Sequence, residues 1–130
     1  MELKGTFVYS KTANGNYNFR LKAPNLETLA VCESPYKSIA SCKQGIESTR
    51  RFANSPIEDQ TLKKAGEPLP NPKYEMYIDK AGKFRYRLRA NNGIIIIISE
   101  AGYATKDGCK KGIQSIAKWA ENAEVTTDIE

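Results

Sequence analysis

At 130 residues the chain has the length of one ordinary domain, enough to bury a core but too short for two conventional ones. Hydrophobic residues make up 40% and charged residues 27%, a globular balance that argues against disorder, and no apolar run reaches membrane-spanning length. Twenty basic against fifteen acidic side chains give a net charge of +5, and the absence of histidine removes the commonest general base and metal ligand, and with it the hydrolytic triads built on it.

Sliding the chain by 67 positions aligns Phe7–Ala53 with Tyr74–Ala120 without a gap, and thirteen of the 47 pairs are identical. Composition alone gives roughly three, so the chain is an internal duplication. The basic excess belongs to the duplicated parts, with eight basic and four acidic residues in 1–54 and ten and five in 73–123.

Each copy parses the same way. Phe7–Ser10 and Tyr74–Ile78 are predicted first strands, ended by turns at Asn14-Gly15 and Ala81-Gly82. In the second strands Tyr17, Phe19, Leu21 and Ala23 alternate with Asn18, Arg20 and Lys22. Their counterparts Phe84, Tyr86, Leu88 and Ala90 alternate with Arg85, Arg87 and Arg89. Period two of this kind gives one apolar and one cationic face. Turns around Asn25 and Asn92-Gly93 lead into third strands, Thr28–Glu33 and Ile94–Glu100. Ser38 and Thr105 then stand as N-caps of two helices. The first helix carries Ile39, Cys42, Ile46, Thr49 and Ala53 on one stripe, and the second Cys109, Ile113, Ile116 and Ala120. Gly45 and Gly112 sit mid-helix, where glycine costs about 1 kcal/mol relative to alanine, so their presence in both copies predicts a close approach of other groups. Ile57–Thr61 and Glu124–Ile129 hold equivalent places after the helices and have weak strand character.

The expected architecture is α+β: two tandem β-β-β-α-(β) repeats forming one pseudo-twofold domain over 1–130, with two helices on one side of an antiparallel sheet. Repeat one is placed at 5–62, a proline-rich connector at 63–72 and repeat two at 73–130. One unit of about 50 residues buries too little surface to be comfortably stable, so the two must share a core. The segments "NFRLKAPN" with "CESPYKSIASCKQGIES", and "RYRLRANN" with "SEAGYATKDGCKKGIQS", resemble the YegP-like family of small bacterial and archaeal proteins. The resemblance covers nearly the whole chain and implies one or two such units with an exchanged last strand. It implies no activity and no catalytic residues. Pro24 and Leu26 depart from the usual Asn-Gly turn of that pattern.

Chemistry is sparse in the residues themselves. Cys42 and Cys109 fall on the apolar stripes and read as small core residues, with Cys32 equally unremarkable in its strand. Glu33 and Glu100 end the third strands, and salt bridges to Arg20 and Arg87 are the expected arrangement. No phosphate-binding glycine loop occurs, no cofactor or metal site is predicted, and an enzyme is the weakest class. The leading expectation is a non-enzymatic binding or interaction module using the exposed sheet face. Within it, Arg20, Lys22, Arg85, Arg87 and Arg89 are candidate contacts for an anionic partner or nucleic acid. Against nucleic acid, Phe84 and Tyr86 face the core, leaving only Tyr77 for stacking. A further alternative is a homodimer or partner surface through Ile94–Ile98, with Ile96 and Ile98 entering the core and Ile95 and Ile97 facing outward. Three unpaired cysteines and the lack of signal-peptide character in 1–10 predict a cytoplasmic protein with no membrane partner.

Overall fold

The structure, a computed structural model, describes residues 3–64 and 66–129. Its elements in chain order are β1 (Thr6–Lys11), β2 (Tyr17–Lys22), β3 (Thr28–Cys32), α1 (Ile39–Phe52), β4 (Ile57–Asp59), β5 (Lys73–Ile78), β6 (Phe84–Arg89), β7 (Ile95–Ile98), α2 (Lys106–Ala120) and β8 (Glu124–Thr127). All strands join one sheet in the order β4-β5-β6-β7-β3-β2-β1-β8.

Tight turns fold β1–β2–β3 and β5–β6–β7 into two antiparallel meanders, which meet at an antiparallel seam where Val31 faces Ile98 and Cys32 faces Ile97. The last strand of each unit leaves its own meander: β4 pairs with β5, and β8 with β1. Both of these edge pairings are parallel, because a strand that arrives from a helix is not bound to the antiparallel direction that a short hairpin imposes. The sheet is therefore mixed, with antiparallel meanders and parallel margins.

The helices lie on one face. Cys42, Ile46 and Thr49 of α1 and Cys109, Ile113 and Ile116 of α2 are buried against Phe7, Phe19, Leu21, Tyr74, Met76, Tyr86 and Leu88. Ile39, in the first turn of α1, is instead 37% exposed and stands outside the buried stripe. The halves are also joined by polar contacts: the Tyr74 hydroxyl donates to the Ala53 carbonyl at 2.7 Å, and the Tyr86 hydroxyl donates to that of Leu29. Arg50 of α1 donates to the carbonyls of Ala120 and Glu121 at 2.9 and 3.0 Å, placing its charge on the negative end of the α2 dipole. Arg50→Ala should lower stability by about 1–2 kcal/mol in chemical denaturation, with Arg50→Lys keeping part of that difference.

Ser38 accepts the Ser41 amide and Thr105 that of Gly108, the N-caps the sequence predicts. The close approach at the two helix glycines is made by tyrosine rings from the segment preceding each helix. A Cβ on Gly45 would lie 2.6 Å from Cζ of Tyr36, and one on Gly112 2.8 Å from Cζ of Tyr103. Each tyrosine is held by a two-way backbone bridge, Tyr36 to Tyr17 and Tyr103 to Phe84, and stacks on Phe19 or Tyr86 with centroids 6.1 Å apart.

Both meanders carry a bulge at the same place, between Leu21 and Lys22 and between Leu88 and Arg89. The extra residue reverses the face assignment of the third strand. Ile97 lies opposite Leu88 and is fully buried, so it is a core residue and not the outward-facing one that simple alternation indicates. Ile96 is also buried, while Ile95 and Ile98 take the outer face. At the β2–β3 turn Leu26 has φ +72°, where the second copy has Gly93 at +86°. Leu26 is 73% exposed. Because its side chain packs against so little, Leu26→Gly should relieve backbone strain and raise stability by about 0.5–1 kcal/mol, readable as an increased Tm.

Candidate interaction surface on the open sheet face

One face of the sheet is covered by helices; the other is open, and cross-strand register defines what stands on it. A single row runs Val8, Arg20, Val31, Ile98, Arg87, Glu75, Glu58, from β1 to β4. Beside it Ile95 pairs with Arg89 and Arg89 with Lys73, while Lys22 lies between Thr6 and Thr28. Arg20, Lys22, Arg85, Arg87, Arg89 and Ile95 thus share this face, as the alternation predicts; Ile98 replaces Ile97 there. Val8, Val31, Ile95 and Ile98 are half-buried, giving the face an aliphatic middle.

The arginines are not isolated charges. Glu75, 5% exposed, accepts from Nε of both Arg87 and Arg89 at 2.6 Å, and its other oxygen lies 3.1 Å from Gln60 Nε2 and 3.6 Å from Lys73 Nζ. Lys73 reaches Glu58 at 2.9 Å, and Glu58 also accepts from Gln60 at 2.7 Å and from the Leu69 amide at 2.7 Å. Arg85 Nε donates to Asp79 at 2.6 Å. Arg87 lies over the Tyr77 ring at 4.5 Å, and Arg89 Nη1 donates to the Gly93 carbonyl at 2.8 Å. In the first copy Arg20 reaches Ser10 at 3.1 Å and Asp128 at 3.7 Å. Arg20 and Arg87 therefore pair with Asp128 and Glu75 in place of the expected Glu33 and Glu100, both of which are exposed. Among the described residues Lys22 has no carboxylate partner.

Titration follows from these contacts. Burial pushes the Glu75 carboxyl upward, but the hydrogen bonds and charges of Arg87 and Arg89 outweigh it and hold the group below its usual range. Glu58 is lowered to about 2 by its hydrogen bonds from Gln60, Lys73 and the Leu69 amide. Burial raises the thiols of Cys42 and Cys109 to about 11, as befits the core residues the sequence indicates. Among the described residues no three Cys, Asp or Glu side chains converge as a metal site requires.

The acidic partners are the part that sequence reasoning missed. Glu75 was legible in principle, because the hairpin register sets it opposite Arg87. Glu58 was not, since it reaches this cluster only through the exchange of β4 into the other unit.

The chain has relatives of similar length and fold. A family model described as a domain of unknown function, DUF1508, matches residues 13–59 and 79–126, one match in each repeat. The chain belongs to the DUF1508 family. The YegP protein of Shigella flexneri, described as a UPF0339 protein, is 36% identical over 114 residues, 88% of each chain. A UPF0339 protein of Methanosarcina acetivorans is 53% identical over 53 residues, 41% of this chain but 90% of that one, so the DUF1508 unit also occurs singly. The solution structure of Escherichia coli YegP, a protein of unknown function, superposes with a TM-score of 0.77 at 29% identity, over 98% of this chain and 96% of that one. The overall fold of this DUF1508 member is therefore shared with Escherichia coli YegP over nearly the full length of both chains. Among the described residues, no helix of this member is long and apolar enough to cross a membrane.

Proposed function

We propose that the chain is a binding module without catalytic chemistry, and that its contact surface is the open sheet face. The carrying observation is a set of guanidinium groups held in place through Nε by Glu75 and Asp79 around a half-buried aliphatic row, Val31, Ile95 and Ile98. Arginines fixed before binding lose little side-chain entropy on contact, and an aliphatic centre rimmed by arginine has the composition of protein interfaces. The partner that suits this face is a protein surface carrying carboxylates around apolar side chains.

Contact with nucleic-acid phosphates is a second reading, favoured by Lys22 and by the terminal nitrogens that Arg85 leaves toward solvent. It is weakened by the carboxylates that already offset most of the stripe, and by Tyr77 being covered by Arg87. NMR titration with a Glu- and Leu-rich peptide and with single-stranded DNA and RNA, each at two salt concentrations, separates the readings. The protein reading expects shifts at Ile98 and at the side-chain Nε–H of Arg85 and Arg89 with the peptide, and weak, unspecific response to the nucleic acids. A steep salt slope for DNA or RNA that Arg87→Ala with Arg89→Ala abolishes transfers the face to nucleic acid. Shifts confined to the helical side, at Lys110, Lys111 and Lys118, remove the sheet face altogether. A solution mass that doubles in wild type and falls back in Ile95→Lys identifies the partner as a second copy.

A further inference from the structure

The two margins of the sheet are unlike. On the β4 side the connector folds back: the Leu69 amide donates to Glu58, and all three β4 residues are half-buried. On the other side β8 is exposed at all four residues, including Val125 at 40%. Glu124 N–H points inward, donating to the Gly5 carbonyl at 3.1 Å. In an extended strand alternate residues turn their backbone groups to opposite sides, so Thr126 also serves β1. The N–H and C=O of Val125 and Thr127 are directed to the open margin. Among the described residues this row is unpaired, and such a row is a template for another strand.

We propose that β8 is a docking edge that accepts an extended segment of a partner protein as a ninth strand, and that the segment carries basic residues four positions apart. Charge selects the occupant. A second copy pairing through Val125 and Thr127 of both chains would set Glu124 opposite Asp128 twice, like charges directly across a ladder. Every ionisable side chain from 121 to 130 is acidic, namely Glu121, Glu124, Asp128 and Glu130. The internal partners of these carboxylates are Lys4, 3.8 Å from Glu124, and Arg20 and the Ser10 hydroxyl, 3.7 and 2.9 Å from one oxygen of Asp128; both carboxylates stay more than half exposed and able to meet a new cation. A strand with lysine or arginine opposite each of them supplies the backbone hydrogen bonds and both charges together.

The probe is a synthetic peptide of about ten residues, rich in valine and threonine, with two lysines four apart, titrated into the 15N-labelled full chain. The expected result is saturable binding that shifts the amides of Val125 and Thr127 more than those of Glu124 and Thr126. Val125→Pro removes an outward donor while sparing the pairing with β1, so it should fold and weaken binding by about ten-fold. Glu124→Lys with Asp128→Lys should lose the lysine peptide and gain its glutamate counterpart. Were the proline variant to unfold, this charge exchange decides the matter independently. No saturable binding, binding unaltered by both variants, or a wild-type mass that doubles and is restored to monomer by Val125→Pro would overturn the proposal. Because β8 lies at the margin, shifts confined to Ile98, Arg85 and Arg89 would leave the open-face reading standing while sinking this one.

Discussion

Glu75→Ala is expected to cost about 3–5 kcal/mol of unfolding free energy, measured by urea or guanidinium denaturation with the slope of the transition unchanged. The carboxylate is almost wholly buried and is the common acceptor for Arg87 and Arg89, with Lys73 close by. Removing it leaves three cations facing one another under partial burial, with Glu58 alone to offset Lys73. Glu75→Gln retains the shape and one acceptor and should lose less. Titration supplies a second readout. Glu75 and Glu58 are held below their usual value of 4.5, so the stability they contribute is fully present above about that pH. It is lost as the pH falls through their folded values, about 2 for Glu58. Acid unfolding followed from pH 5 downward should therefore be shallower in Glu75→Ala than in the wild type. A variant with unaltered stability and an unaltered acid profile would show that the cluster on the open face contributes nothing to the fold.

The second large effect concerns the helix glycines, and its sign is opposite to that expected from propensity. At an exposed helical position glycine to alanine stabilises by about 1 kcal/mol. Here the new methyl meets the ring of Tyr36 or Tyr103, each fixed by its backbone bridge and by stacking on Phe19 or Tyr86. Gly45→Ala and Gly112→Ala should each destabilise by about 1–3 kcal/mol, with the double variant losing nearly the sum. A cycle with Tyr103→Leu should show that Gly112→Ala does less harm once the ring is gone. If either alanine variant alone proves more stable than the wild type, the rings move aside freely and the glycines need another explanation.

The alternation of apolar and cationic residues in β2 and β6, the two N-caps, the buried cysteines and the inward Leu21 and Leu88 were all legible along the chain, and the structure bears them out. Each of these depends on neighbours within one or two turns of helix or along one strand, where side-chain direction follows from backbone period. Ile97 shows how far that reasoning reaches. One bulged residue reverses the faces of everything after it, and five identical isoleucines leave alternation nothing to register against.

What the amino-acid order settled by itself was the duplication, the type of each element and the need for the halves to share an interior, because all three follow from periodicity and from the surface that one unit can bury. The tertiary structure alone decided that β4 and β8 pair in parallel with β5 and β1, that Glu58 and Glu75 neutralise the arginines, and that tyrosines occupy the space left by Gly45 and Gly112. These are contacts between residues far apart in the chain. Their energies depend on geometry fixed only when both meanders close on the common sheet, and no local pattern encodes it.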